Sequence, residues 1–113
     1  MQIEESSKHA RSELATRIKS GNAPMIIDVR TAREYISGHI PGAKHIPFWS
    51  MVYRYKELKE EKEQLLVLYC EHGPRAWMAK AILASHGFKD VLYLYGHMKA
   101  WRKDGLIIEN IDE

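Results

Sequence analysis

Three short apolar runs punctuate the chain: Met25-Ile-Ile-Asp-Val29 after Pro24, Leu65-Leu-Val-Leu-Tyr69, and Val91-Leu-Tyr-Leu-Tyr95. Runs of this length, apolar at nearly every position and bounded by charged or turn residues, read as strands buried on both faces. Between and around them the period changes. From Ser6 to Ser20, Ala10, Leu14 and Ile18 recur among charged neighbours, with Ser6 or Ser7 to cap the start and Gly21-Asn22 to stop it, which predicts an amphipathic helix. Thr31 to Ser37 predicts one or two helical turns capped by Thr31. The turn-rich Gly38-His-Ile-Pro-Gly42 then leads to a short strand at Ile46.

Ser50 is expected to cap a further helical segment carrying Met51, Tyr55 and Leu58 inward, its Lys and Glu run from Lys56 to Glu63 forming a solvated face. Arg75 to His86 predicts a helix with Met78, Ala79, Ile82 and Leu83 on its apolar side and Gly87 as its stop. Met98 to Lys103, after a turn at Gly96, predicts a last short helix containing Trp101. Strands alternating with helices predict an α/β fold: a parallel sheet flanked by helices on both faces, joined by right-handed crossovers. Ligands of such sheets bind beyond the carboxyl ends of the strands, where Cys70 falls.

Composition narrows the class. The 113 residues suit one domain spanning 1–113, with 45% hydrophobic and 28% charged positions in an ordinary globular balance. No stretch approaches the ~20 apolar residues that cross a bilayer, and the first residues lack the basic head and apolar run of a secretory signal, so a cytoplasmic protein without membrane contact is expected. Seventeen Lys and Arg against fifteen Asp and Glu leave a net charge of +2 without a basic tract, which gives nucleic-acid binding no support. The histidines His9, His39, His45, His86 and His97 show no metal-ligand spacing, so neither a metal nor another cofactor is expected.

One cysteine excludes an internal disulfide, leaving Cys70 as a packing residue, a reactive group or an intermolecular crosslinker. A loop running from a strand end into a helix turns its N–H groups inward at the positive end of the helix dipole, so it binds anions and favours a thiolate at its first position. In Cys70-Glu-His-Gly-Pro-Arg75, Gly73 supplies the backbone freedom of a tight cradle and Arg75 a planar cationic fork. A buried free cysteine ending a core strand is the plain alternative. Strand, cysteine, glycine and arginine in this order point instead to nucleophilic chemistry on an anionic substrate.

The segment resembles the active-site loop of single-domain rhodaneses: Cys, two variable residues, Gly, one variable residue, Arg. Asp28-Val-Arg30 with Glu34-Tyr35 and Gly38-His-Ile-Pro-Gly-Ala43 is similar to the family's first signature, and Gly96 to Trp101 to its second, so the resemblance spans roughly Met25 to Ile107. It implies sulfur transfer, in which Cys70 takes a sulfane sulfur from a small donor such as thiosulfate and passes it to cyanide or a thiol. The loop of Glu71, His72, Gly73, Pro74, Arg75 and Ala76 would bind the substrate, its N–H groups cradling the persulfide and Arg75 clamping the anion. With no second cysteine, the acceptor thiol belongs to a small molecule or a partner protein. Rhodanese domains are often monomers, and the sequence carries no obvious self-complementary apolar patch, so a monomer is expected.

Cysteine phosphatases and arsenate reductases of the same fold put one residue more between Cys and Arg, and the four residues here disfavour that chemistry. A catalytically weak binding or regulatory module is the other alternative. Pro74 removes one N–H from the cradle, though its fixed φ suits a first helical turn, and Glu71 sets a negative charge beside the thiolate that would repel thiosulfate. His72 is placed to act as a proton donor or to pair with Glu71, although a solvent-facing loop histidine is the commoner case. Asp28 and Arg30 are expected to tie loops together, Trp49 and Trp101 to pack, and Trp77 to wall the pocket or cover the surface. His97 stands where the family commonly has a second glycine, which leaves the shape of that turn open.

Overall fold

The computed structural model describes residues 8–111, so the expected Ser6 or Ser7 cap lies outside the described residues. Four strands, β1 (Met25–Asp28), β2 (Lys44–His45), β3 (Leu65–Tyr69) and β4 (Asp90–Tyr93), form one sheet in the order β2-β1-β3-β4, every pair parallel. Ile27 stands opposite Leu68, and Leu68 opposite Tyr93. Helices α1 (Lys8–Ser20), α2 (Ala32–Ser37), α3 (Met51–Arg54), α4 (Pro74–Ser85) and α5 (His97–Lys103) supply the connections and the flanks.

The period-two geometry of a strand sorts the buried side chains into two cores. Ile27, Leu66, Leu68 and Cys70 pack with Met51, Leu58, Ala76, Ala79 and Leu83 of the α3 and α4 side. Ile26, Val67 and Tyr69 point the other way, onto Leu14 of α1 and Met98 and Trp101 of α5. Both sheet faces are therefore covered, which is why the strand sequences show no alternation. Strand order reverses between β1 and β3, and the loops leaving those two strands diverge there to open a crevice.

Boundaries moved by a residue or two. Val29, Ile46 and Leu94 still donate N–H groups to Tyr69, Asp28 and Leu68 carbonyls, continuing the ladder just past the strands proper. Thr31 caps α2 as expected, with its hydroxyl accepting from the Glu34 N–H and the Glu34 carboxylate accepting from the Thr31 N–H. Ser50 is not a cap: its backbone is already helical, and its hydroxyl donates 2.8 Å back to the Pro47 carbonyl within a 3-10 turn over Phe48–Ser50. The charged segment after it makes one α-turn and then tightens to a 3-10 helix over Tyr55–Glu61, still burying Leu58.

Two packing expectations fail. Met78 is exposed on α4, and Trp49 is exposed on the 3-10 turn, because both point away from the sheet that takes Ala79 and Leu83; Trp101 is fully buried. Trp77 lies on the exposed surface of α4.

At the carboxyl end of β1, Asp28 and Arg30 form a buried ion pair at 2.8 Å. The carboxylate also accepts the Arg30 main-chain N–H at 2.9 Å. Burial pushes the Tyr69 phenol well above its ordinary value, with the Asp28 charge adding to the effect, so its hydroxyl stays protonated and hydrogen-bonds to Asp28. Removing one partner of a buried pair strands the other charge, so Arg30→Met should lower the unfolding free energy by about 3–5 kcal/mol. Urea denaturation measures this, and a loss under about 1 kcal/mol, the range of a solvent-exposed pair, would contradict the burial argument.

Candidate active site

Cys70 follows the last residue of β3 at the point where strand order reverses, its side chain fully covered. Residues 71–73 turn the chain back, and Pro74 begins α4 at a position where its missing N–H would have no intrahelical partner. Gly73 has φ 139°, a backbone conformation that side-chain-bearing residues rarely adopt, and this brings its N–H to 2.9 Å from Cys70 Sγ. A sulfur that accepts a main-chain N–H at the amino end of a helix is placed to hold negative charge. Ala76 is fully buried in the same core cluster as Cys70.

The charged residues are arranged differently from expectation. Arg75 does not stand open at the rim: its guanidinium grips the Glu34 carboxylate through two hydrogen bonds of 2.7 and 3.1 Å, joining the loop to α2. Those bonds pull the Glu34 carboxyl down to about 2 against its desolvation, helped by the Thr31 N–H and hydroxyl. Glu71 is not an uncompensated charge beside the sulfur. Its carboxylate pairs with Arg102 of α5 and lies 3.4 Å from Arg30 Nη1. Burial alone would raise the Glu71 carboxyl, but the Arg102 pair, Arg30 and His72 together hold it below the usual carboxylate range.

Arg30 and Asp28 serve as loop ties, in agreement with the sequence. Arg30 Nη2 donates to the Gly38 carbonyl at 2.6 Å, and the Arg30 carbonyl accepts from His45 Nε2 at 2.7 Å. His72 is exposed on the loop and lines, with Tyr93, Tyr95, Gly96 and His97, a cavity of about 390 Å³ beside the cradle. Trp77 is not among those lining residues. Among the described residues no cluster of three or more His, Cys, Asp or Glu side chains is arranged to hold a metal, and no helix is long and apolar enough to cross a membrane.

His97 is the residue that sequence reasoning left unassigned. It is buried, and it is the one non-glycine position with positive φ among the described residues, at 54°. Such a backbone costs about 1–3 kcal/mol at a non-glycine residue, so the surroundings must hold it there. Its Nδ1 accepts the Cys70 N–H at 3.2 Å. The available signal was the departure from a Gly-Gly pair at Gly96-His97, which marked the turn without showing where the ring would point. Arg102 and Glu34 were legible as charges, and only the fold shows which carboxylate or guanidinium each one meets.

The sheet thus brings the chain's lone thiol, with the Gly73 N–H on its sulfur, to the point where strand order reverses. Residues 10–104 match the Rhodanese-like domain family, and the chain belongs to that family. A sulfurtransferase of Allochromatium vinosum is 33% identical over 84% of this chain and 87% of its own length. The thiosulfate sulfurtransferase GlpE of Pseudomonas putida is 30% identical over 84% of each chain. The rhodanese-like domain of an Anabaena protein superimposes with a TM-score of 0.79 at 31% identity, covering 96% of this chain and 81% of that one.

The Glu34–Arg75 pair gives a pH prediction. Because the folded carboxyl is lowered from 4.5 to about 2, its contribution is complete above 4.5 and is lost as pH falls toward 2. Glu34→Gln should therefore be less stable than wild type by about 1 kcal/mol at neutral pH, the scale of a partly solvated pair, with the gap closing in acid. Thermal unfolding of both proteins across that range measures it, and a pH-independent gap would refute the assignment.

Proposed function

We propose that this protein is a sulfurtransferase in which Cys70 carries the sulfur. The Cys70 thiolate attacks the outer, sulfane sulfur of a donor such as thiosulfate; a Cys70–sulfur bond forms, the donor's S–S bond breaks, and sulfite leaves with that bond's electron pair. The resulting persulfide anion is then attacked at its outer sulfur by cyanide or a thiolate. That step releases thiocyanate or a new persulfide and returns the Cys70 thiolate. No net oxidant or reductant is needed, and charge balances in each half.

The observation that carries this reading is the Gly73 N–H set on Cys70 Sγ at the amino end of α4, in a loop whose only acidic residue, Glu71, is already neutralised by two arginines. The loop amides from Glu71 to Ala76, Pro74 apart, would hold the outer sulfur. Arg75 would receive the donor's oxyanion by sharing or exchanging its hold on Glu34. His72, exposed at the cavity mouth, would sit on the path of an incoming acceptor. The acceptor thiol comes from a small molecule or another protein, since the chain has no second cysteine.

One observation favours the second reading, a binding or regulatory module: Cys70 is fully covered, so a donor must approach through the loop. Intact mass separates the two. Reduced protein incubated with thiosulfate or a polysulfide and freed of excess reagent should gain one sulfur atom, reversed by dithiothreitol and absent in Cys70→Ser. No gain from either donor would favour the binding module. In the loading reaction, Arg75→Ala should raise KM for thiosulfate about tenfold with a smaller change in kcat, as expected when a charge-assisted contact to the bound donor is lost. An unchanged KM would remove Arg75 from donor binding.

A further inference from the structure

The peptide units around Cys70 are gripped from one side by the start of α5. His97 Nδ1 accepts the Cys70 N–H at 3.2 Å, the Met98 N–H donates to the Cys70 carbonyl at 3.0 Å, and the Lys99 N–H donates to the Glu71 carbonyl at 3.3 Å. The first of these contacts alone depends on a side chain. It also depends on protonation, because a ring nitrogen that accepts must be bare, so the imidazole is neutral with its proton on Nε2. That Nε2 edge abuts the loop: a Cβ built at Gly73 would lie 3.3 Å from it.

The backbone of His97 supports the same assignment. A left-handed conformation is adopted readily by glycine, and here a histidine holds it while buried. Main-chain bonds from the His97 N–H to the Leu94 carbonyl and from the Met98 N–H to the Cys70 carbonyl hold the turn on either side, and the ring it presents accepts the nucleophile's own amide. With the Cys70 N–H turned toward His97, Sγ lies on the Gly73 side, where it accepts the cradle N–H at 2.9 Å.

We propose that His97 is a positioning residue for the Cys70 nucleophile: its neutral ring accepts the Cys70 main-chain N–H and thereby fixes the thiol sulfur against the Gly73 amide. The role rests on the sulfurtransferase reading for its consequence in turnover, and on the hydrogen bond alone for its structural effect. His97 does not touch the donor's reacting atoms and acts only through Cys70.

The groups that bear on the ring's charge come from every neighbouring element. They are His72, Glu71 and the Cys70 thiol of the loop; Tyr93 at the end of β4; Lys80 of α4, whose ammonium lies over the Tyr93 ring; Arg102 of α5; and Arg11 of α1, which bonds the Tyr95 carbonyl behind Gly96. Burial lowers the His97 pKa from 6.5, and the charge of His72 acts in the same direction, so the accepting form persists in the fold to below that pH. Protonation would set two N–H donors face to face and release the Cys70 amide.

Three variants and two readouts test this. Asn tolerates left-handed backbone and keeps a short-range acceptor, so His97→Asn preserves the contact without its titration, whereas His97→Gly removes the acceptor and relieves the backbone. Sulfur loading from thiosulfate by His97→Gly should be about tenfold slower at neutral pH, the scale of one lost hydrogen bond, with KM for the donor little changed. His97→Asn should recover most of that rate and lack the wild type's fall below pH 6.5. Independently, the Cys70 amide resonance in 15N-resolved NMR should show an acid inflection in wild type and in His72→Asn that is missing in His97→Asn. Loading rates equal to wild type in His97→Gly, or an inflection that survives in His97→Asn, would overturn the role. If wild type takes up no sulfur, the amide titration still decides the hydrogen bond, and the failure belongs to the sulfurtransferase reading.

Discussion

A carboxylate and a guanidinium with almost no access to solvent sit at the crevice end of the sheet, and the loops around the cysteine are organised by the need to satisfy them. Asp28 is fully buried and Arg30 nearly so. Such a pair is tolerable only if the remaining lone pairs and protons also find partners. Asp28 takes the Arg30 side chain and main-chain N–H, and interacts with the Tyr69 hydroxyl; that oxygen in turn accepts the Ile40 N–H at 3.0 Å. Arg30 spends its outward nitrogens on the Gly38 carbonyl and on Glu71. The segment after α2, the end of β3 and the cysteine loop are thus tied to one buried centre, and none can shift without leaving a charge short of partners.

The same centre changes what Glu71 does. Beside a thiolate an acidic residue is a liability, and its charge alone would oppose both the nucleophile and an anionic donor. Held between Arg30 and Arg102, the carboxylate becomes a brace that links the loop to β1 on one side and to α5 on the other. The contact with α5 is reinforced by main-chain bonds from Met98 and Lys99 to Cys70 and Glu71. A residue that reads as an obstacle in the sequence is a structural tie in the fold.

How far the sequence could be read follows from which signals are local. Buried parallel strands announce themselves as continuous apolar runs, so β1, β3 and β4 and the placing of Cys70 at a strand end were legible, as was the Thr31 capping box, which needs residues only three apart. The segment after Ser50 reads as helical and is helical, but where α gives way to 3-10 is not legible, because the two turns share nearly the same apolar spacing over so short a stretch and the inward Leu58 satisfies both. Trp49 was assigned to packing on residue type alone, and nothing local says which way a 3-10 turn faces. The partners of Arg75 and Glu71, at Glu34 and Arg102, are 41 and 31 residues away in sequence. They become neighbours only when the loops converge on the crevice, so charge identity was readable and pairing was not.

The resulting electrostatics bear on where affinity for an anion comes from. Three arginines surround the cradle, yet Arg30 faces Asp28 and Glu71, Arg75 faces Glu34, and Arg102 faces Glu71, so side-chain charges nearly cancel. What is left uncancelled is the field of oriented main-chain N–H groups and the positive end of α4, both of which act at short range and fade within about one helical turn. A cradle of that kind stabilises charge localised on the sulfur more than it attracts a dianion from a distance. Arg75 already holds the Glu34 carboxylate, lowered to about 2, so the α2–α4 tie and any anion reaching the loop would meet at one guanidinium.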